Sequence, residues 1–210
     1  PTRRSSDLIA GDAATLLPAM LDRMLGDVLH TPLPAGFTLA QVPLQRRLVE
    51  LEFNLPAQHL AAGDLAAAMR DHGYPVPALE FGALEGYLRG FIDLVFEHDG
   101  RFYVLDWKSN HLGDGPDPYG QAHLKAAMTG NGYHLQYLLY TVAVHRYLQQ
   151  RMAGYQYDRH FGGVLYLFVR GVRPGWRDAA GAATGVYAHK PSLAMVERLS
   201  ALLEPLRQPA

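Results

Sequence analysis

A mixed α/β domain, with helices packed around a small sheet, is the architecture that this chain of 210 residues predicts. Three observations point to it. Segments with helical apolar spacing alternate along the chain with segments of strand-like alternation. One of the latter, residues 91–108, places Asp99-Gly100, a favoured two-residue hairpin turn, between aromatic and β-branched residues. Apolar residues make up 49% of the chain and charged ones 19%, enough to close one sizeable core.

Each element follows from its local pattern. Residues 13–28 carry Leu16, Leu17, Met20, Leu21, Met24 and Leu25 at helical spacing, and Pro32, Pro34 and Gly36 mark the loop after them. Residues 42–55 read as a long strand ended by Pro56. Asp64 is placed to cap a short alanine-rich helix that stops near Gly73, and a loop with Pro75 and Pro77 follows. Beyond the hairpin, Gly113, Gly115, Pro116 and Pro118 form a loop. Residues 119–128 and 133–150 read as helices, 163–169 as a strand, and 192 to about 206 as a closing helix. Residues 1–8 (Pro-Thr-Arg-Arg-Ser-Ser-Asp-Leu) back-translate in frame to a common sequencing adapter. They are set apart as an appended scar, and residues 9–210 are taken as one domain.

Composition removes several classes of function. The chain has no cysteine, so disulfides, thiolate zinc sites and cysteine-held iron–sulfur clusters are excluded. No apolar run reaches the roughly 18 residues that span a bilayer, so no membrane role is expected and the cytoplasm is the expected location. No phosphate-binding glycine loop is present. The net charge of −1 gives no sign of nucleic acid. Between residues 140 and 177, however, Arg146, Arg151, Arg159, Arg170, Arg173 and Arg177 meet one acid, Asp158. Such a run fits a phosphate-tracking face, or equally an ordinary solvated one.

The hairpin holds the chemistry. If Asp99-Gly100 sets the register, His98 pairs with Arg101 and Glu97 with Phe102, and the count brings Asp93 opposite Asp106. Alternation then puts Asp93, Asp106 and Lys108 on one face, and Ile92, Leu94, Phe96, Tyr103, Leu105 and Trp107 on the other, core-like face. Opposed carboxylates repel in a sheet, and a divalent cation between them removes the conflict. Oxygen ligands without cysteine fit Mg²⁺, with Mn²⁺ or Ca²⁺ as substitutes. Lys108 could then polarise a water or steady charge on a phosphorane, which is the chemistry of metal-assisted phosphodiester hydrolysis. An exposed, salt-bridged hairpin accounts for the same residues without a metal, and the residues alone leave both readings open. Glu50 and Glu52 share a strand face and could add a carboxylate, or form a solvent edge. Gln136 and Tyr140 share a helix face and could support the ligands, or simply pack. His111, His123 and His134 read as polar surface.

Joined together, these residues resemble one family. Gly86, Gly90-Phe-Ile-Asp93, then Asp106-Trp-Lys108-Ser-Asn110, then Leu135-Gln136 with Tyr140, and the run of residues 160–171 are similar to the RecB-type nucleases of the PD-(D/E)XK superfamily. The resemblance extends from about residue 39 to the C-terminus. It implies a restriction-endonuclease-like core and exodeoxyribonuclease V-type cleavage of unwound DNA in break repair and recombination. The implied partners are DNA, RecC and RecD, with a role in RecA loading. Among site residues it implies Asp93, Asp106 and the carbonyl of Trp107 as metal ligands and Lys108 as the catalytic lysine. Glu50 matches the family's upstream acidic position, and Gln136 and Tyr140 match the motif that completes the site. The family also uses a histidine on an N-terminal helix. No histidine precedes His30, which follows the predicted helix. The chain is therefore expected to start downstream of that ligand and to show little activity alone. A catalytically inactive protein-docking domain of the same fold is the competing expectation.

Overall fold

Asp99 and Gly100 turn the chain with φ of 49° and 73°, the left-handed pair that this hairpin type requires. The sheet is built outward from that turn. Strands β4 (Tyr87–His98) and β5 (Arg101–Lys108) pair antiparallel from His98↔Arg101 to Leu94↔Leu105, the register the turn predicts. The computed structural model describes residues 5–204, with side chains from residue 16 onward. Within them, α1 (Ser5–His30), β1 (Arg47–Pro56), a short strand β2 (Leu60–Ala61), α2 (Ala62–Asp71) and β3 (Ala83–Leu84) precede the hairpin. After it come α3 (Gln121–Gly130), α4 (Tyr133–Arg151), α5 (Tyr157–His160), β6 (Phe161–Phe168), β7 (Val186–His189) and α6 (Leu193–Leu202).

The main sheet has the order β1-β4-β5-β6-β7, and β2 pairs with β3 apart from it. Only β5 and β6 run parallel; the other neighbours in the sheet are antiparallel. A parallel pair needs a long crossover, and α3, α4 and α5 supply it. The sheet is thus mixed and covered by helices, as predicted.

Each face of the sheet carries its own core. Val95, Val104, Val164, Tyr166 and Phe168 pack with Tyr137, Leu138 and Val142 of α4, with Met69 of α2 and with Val196 of α6. Leu94, Phe96, Tyr103, Leu105, Leu165 and Leu167 pack on the opposite side with Val28, Leu33, Phe37 and Val42. Strand alternation produces this division. The β6 side of the second core is closed by Gly162, where an added Cβ would lie 2.3 Å from the Tyr103 ring.

Several elements depart from expectation. The strand predicted over residues 42–55 begins at Arg47, because Leu39–Gln41 and Leu44–Arg46 form single 3₁₀ turns. Asp64 lies inside the first turn of α2, and Ala61 occupies the cap. Tyr119 belongs to a 3₁₀ turn, so α3 starts at Gln121. Strand β7 escaped the sequence reading. The closing helix stops at Leu202, and residues 205–210 lie outside the described residues. Helix α1 begins at Ser5, within the segment set apart as adapter, of which residues 1–4 lie outside the described residues. Leu16, Leu17, Met20, Leu21 and Leu25 of α1 are exposed rather than buried. No described helix is long and apolar enough to cross a membrane.

Candidate active site

The regular ladder fails at one level of the sheet. Pairing of β1 with β4 includes Val49↔Leu94 and Leu51↔Ile92 but omits the step between them, where Glu50 would meet Asp93. Pairing of β4 with β5 ends at Leu94↔Leu105, one step short of Asp93 and Asp106. Glu50 adopts a φ of 52°, uncommon for a residue with a side chain. Alternation reverses there. Ile92 packs with Leu55 and Tyr137 in the core beneath α4, whereas Leu94, two residues on, packs in the other core. The expectation that Ile92 shares a face with Leu94 is therefore corrected. Trp107 was also expected in the core and is instead 38% exposed.

The opened level is held by the carboxylates. Asp93 Oδ2 accepts a hydrogen bond of 2.8 Å from the Trp107 backbone N–H, a donor the interrupted ladder leaves free. Asp106 is buried, at 3% exposure. Its Oδ2 lies 2.6 Å from Lys108 Nζ but has no well-aligned hydrogen-bond partner, so the contact is an ion pair with one acceptor left incompletely satisfied. Burial foremost, and the nearby charge of Asp93, raise the Asp106 carboxyl above its ordinary range, against the pull of Lys108.

From Lys108 the polar chain continues into α4. Lys108 Nζ donates to Gln136 Oε1 at 2.9 Å, and Gln136 Nε2 donates to the Tyr140 hydroxyl at 2.8 Å. Spacing by four on α4 presents both side chains to the sheet, as the sequence indicated. Burial, followed by the charge of Asp106, pushes the Tyr140 hydroxyl up to about 12. It is therefore neutral near pH 7 and able to donate a proton in a hydrogen bond.

The structure thus brings Asp93, Asp106, Lys108, Gln136 and Tyr140 together. Glu50 stands at the level of Asp93 but is exposed, and among the described residues no group of three or more His, Asp or Glu is placed to hold a metal. Glu52 turns away to pair with Arg89 at 2.8 Å. His30 is the last residue of α1 rather than a loop residue, and its Nδ1 lies 2.8 Å from the Gly26 carbonyl. His134, expected on the surface, is 8% exposed and bonded to Tyr137 and Thr129. His111 and His123 are exposed. The arginine run has no single role. Arg146 caps α6 through Ser200 and Leu203, and Arg173 pairs with Asp27.

Two site residues were missed. Tyr166 lies beside Asp106 in the parallel β5–β6 ladder and donates to Gln136 Oε1 at 3.0 Å. Tyr133 places its ring 3.9 Å from Lys108 Nζ and donates to Asn110 Oδ1. In the sequence Tyr166 sits among apolar strand residues and reads as core, and only the pairing partner of β5 would have distinguished it.

The donor set fits a hard divalent cation: an incompletely satisfied buried Asp106 oxygen beside a second carboxylate, with amide and phenol groups around them. A two-cored mixed sheet carrying two carboxylates and a lysine at a break in its ladder defines a nuclease of the PD-(D/E)XK type. The chain belongs to the PD-(D/E)XK nuclease superfamily, whose sequence profile matches residues 6–209. It is 43% identical over 182 residues to the RecBCD enzyme subunit RecB of Escherichia coli, an overlap of 84% of this chain and 15% of that protein. With the subunit of the same name from Haemophilus influenzae it is 37% identical over 85% of this chain and 15% of that protein. With that from Mycobacterium tuberculosis it is 38% identical over 93% and 20%. The chain therefore spans between a seventh and a fifth of the length of these relatives.

Proposed function

We propose that this chain is a DNA-cleaving domain of the RecB type, hydrolysing phosphodiester bonds of unwound DNA with Mg²⁺, for which Mn²⁺ can substitute. The observation that carries this reading is the buried Asp106 oxygen, paired to Lys108 yet incompletely satisfied, at the level where Asp93 interrupts the strand ladder. Asp93, Asp106 and the Trp107 carbonyl would hold the ion. When bound, it would supply Lewis acidity and a water acidified toward neutral pH. Lys108 places a positive charge where negative charge grows on the phosphate, and Gln136 and Tyr140 fix the position of that charge. Glu50, exposed and outside any three-carboxylate cluster, is assigned the smaller role of an outer acidic group. RecC, RecD and RecA are the proposed partners, by analogy with the relatives' enzyme, in break repair and recombination.

The inactive docking domain remains the contrasting reading, and the retained Asp93–Asp106–Lys108 set stands against it. Because the chain alone is expected to show little activity, incubating a labelled single-stranded oligonucleotide and Mg²⁺ or Mn²⁺ with the domain carried in a full-length RecB-type subunit separates them. The proposal expects metal-dependent cleavage that Asp106→Ala and Lys108→Ala each abolish. Cleavage by Asp106→Ala at the wild-type rate would overturn the site assignment.

A further inference from the structure

The lysine's surroundings are more elaborate than an ion pair requires. Lys108 Nζ meets Asp106 Oδ2 at 2.6 Å, Gln136 Oε1 at 2.9 Å, the Tyr133 ring at 3.9 Å and the Tyr166 ring at 5.0 Å. Of these, Gln136 Oε1 accepts a hydrogen bond, Asp106 Oδ2 adds an ion pair without an aligned bond, and the aromatic faces cover the remaining side of the ammonium. The side chain is 10% exposed, which removes most alternative rotamers.

Gln136 is the hinge of this arrangement. An amide can present either its oxygen or its NH₂ to a neighbour, and its partners decide which. Here Oε1 accepts from both Lys108 and the Tyr166 hydroxyl, while Nε2 donates to Tyr140. A flipped amide would set an NH₂ against the ammonium, a donor clash in a buried site, and would turn the Tyr166 hydroxyl from donor to acceptor. Tyr166 is wholly buried, and in this geometry its hydroxyl gives its proton to Gln136 Oε1 at 3.0 Å. Tyr133 is fixed in turn by its bond to Asn110, two residues after Lys108.

We propose that Tyr166 and Tyr133 are positioning residues: the Tyr166 hydroxyl, as a second donor to Gln136 Oε1, steadies the amide whose oxygen faces Lys108, and the Tyr133 ring walls the ammonium in place. This rests on the reading that Lys108 serves cleavage, but its geometry can be tested without cleavage. The chain has three lysines, Lys108, Lys125 and Lys190, so their ε-methylene signals are few. In ¹³C–¹H spectra of the metal-free chain, with Lys125→Arg and Lys190→Arg for assignment, the Lys108 ε-protons should be shifted upfield by the Tyr133 ring current. Tyr133→Leu should return them toward the position of an exposed lysine. An unshifted Lys108 signal in the wild type would overturn the proposal whether or not the chain cuts DNA.

The kinetic arm uses Tyr166→Phe, which keeps the ring and removes the hydroxyl, in the same full-length setting as the cleavage assay. It should lower kcat about 10-fold, the size expected for one hydrogen bond supporting a charged group, with KM for the oligonucleotide unchanged and the melting temperature lowered by no more than about 5 °C. Adding Tyr166→Phe to Gln136→Leu should slow the enzyme no further, because the amide it orients is gone. Wild-type kcat in Tyr166→Phe, or fully multiplicative losses in the double variant, would refute the positioning role. An upfield-shifted Lys108 signal in a chain whose Lys108→Ala variant cleaves normally would instead uphold the geometry and defeat the nuclease reading of that lysine.

Discussion

Removing Asp106 tests the energetics of the site, and two arguments give it opposite signs. Repulsion between Asp93 and Asp106 argues that Asp106→Ala stabilises the metal-free protein. The structure reverses this, because the same carboxylate is the ion-pair partner of Lys108, with side chains only 4% and 10% exposed. Removing one member of a buried pair typically costs about 3–5 kcal/mol. Lys108 keeps its bond to Gln136 and its aromatic wall, and the penalty of burying the Asp106 charge disappears. The net loss should therefore be smaller, about 2 kcal/mol, or about 4–8 °C in melting temperature for a domain of this size. Asp93→Asn, which relieves the repulsion without stripping Lys108, should leave the melting temperature unchanged or raise it. Thermal and urea unfolding in EDTA measure both. An Asp106→Ala variant that melts above the wild type would refute the ion-pair reasoning.

Other expectations follow from residues away from the metal ligands. Burial foremost depresses the imidazoles of His134, His145 and His189 below their ordinary range. In the unfolded chain they take up protons first, so the stability they allow is fully present above about pH 6.5 and declines as pH falls below it. Urea midpoints measured from pH 7.5 to 5.5 should fall steadily, and a flat profile would contradict the burial. His30→Ala should leave Mn²⁺ affinity unchanged, as calorimetry can check, because the His30 ring is engaged with its own helix backbone. We also propose that residues 1–8 contribute nothing to the domain, so their deletion should leave the melting temperature unaltered.

Much of the site was legible because it rests on a local device. A two-residue turn fixes a register, and counting from Asp99-Gly100 reached Leu94↔Leu105 without error. The count failed one step later, because Glu50 on a distant strand breaks the ladder and Asp93 takes the Trp107 N–H. No local pattern encodes that interruption, and it also exposes Trp107 and moves Ile92 to the other core. Gln136 and Tyr140 were legible from helical spacing, whereas Tyr166 was not, since its role depends on the parallel pairing of β6 with β5 across a crossover of some fifty residues. Strand β7, only four residues long, gave too little alternation to register.

Mn²⁺ titration of the intact chain, followed by calorimetry and by the paramagnetic signal of the ion, bears most directly on the central claim. The account predicts a saturable site that is lost in Asp106→Ala, weakened in Asp93→Asn, and left in place by Tyr166→Phe. Binding of equal affinity in the wild type and the Asp106→Ala variant, or no saturable binding in the wild type, would contradict it.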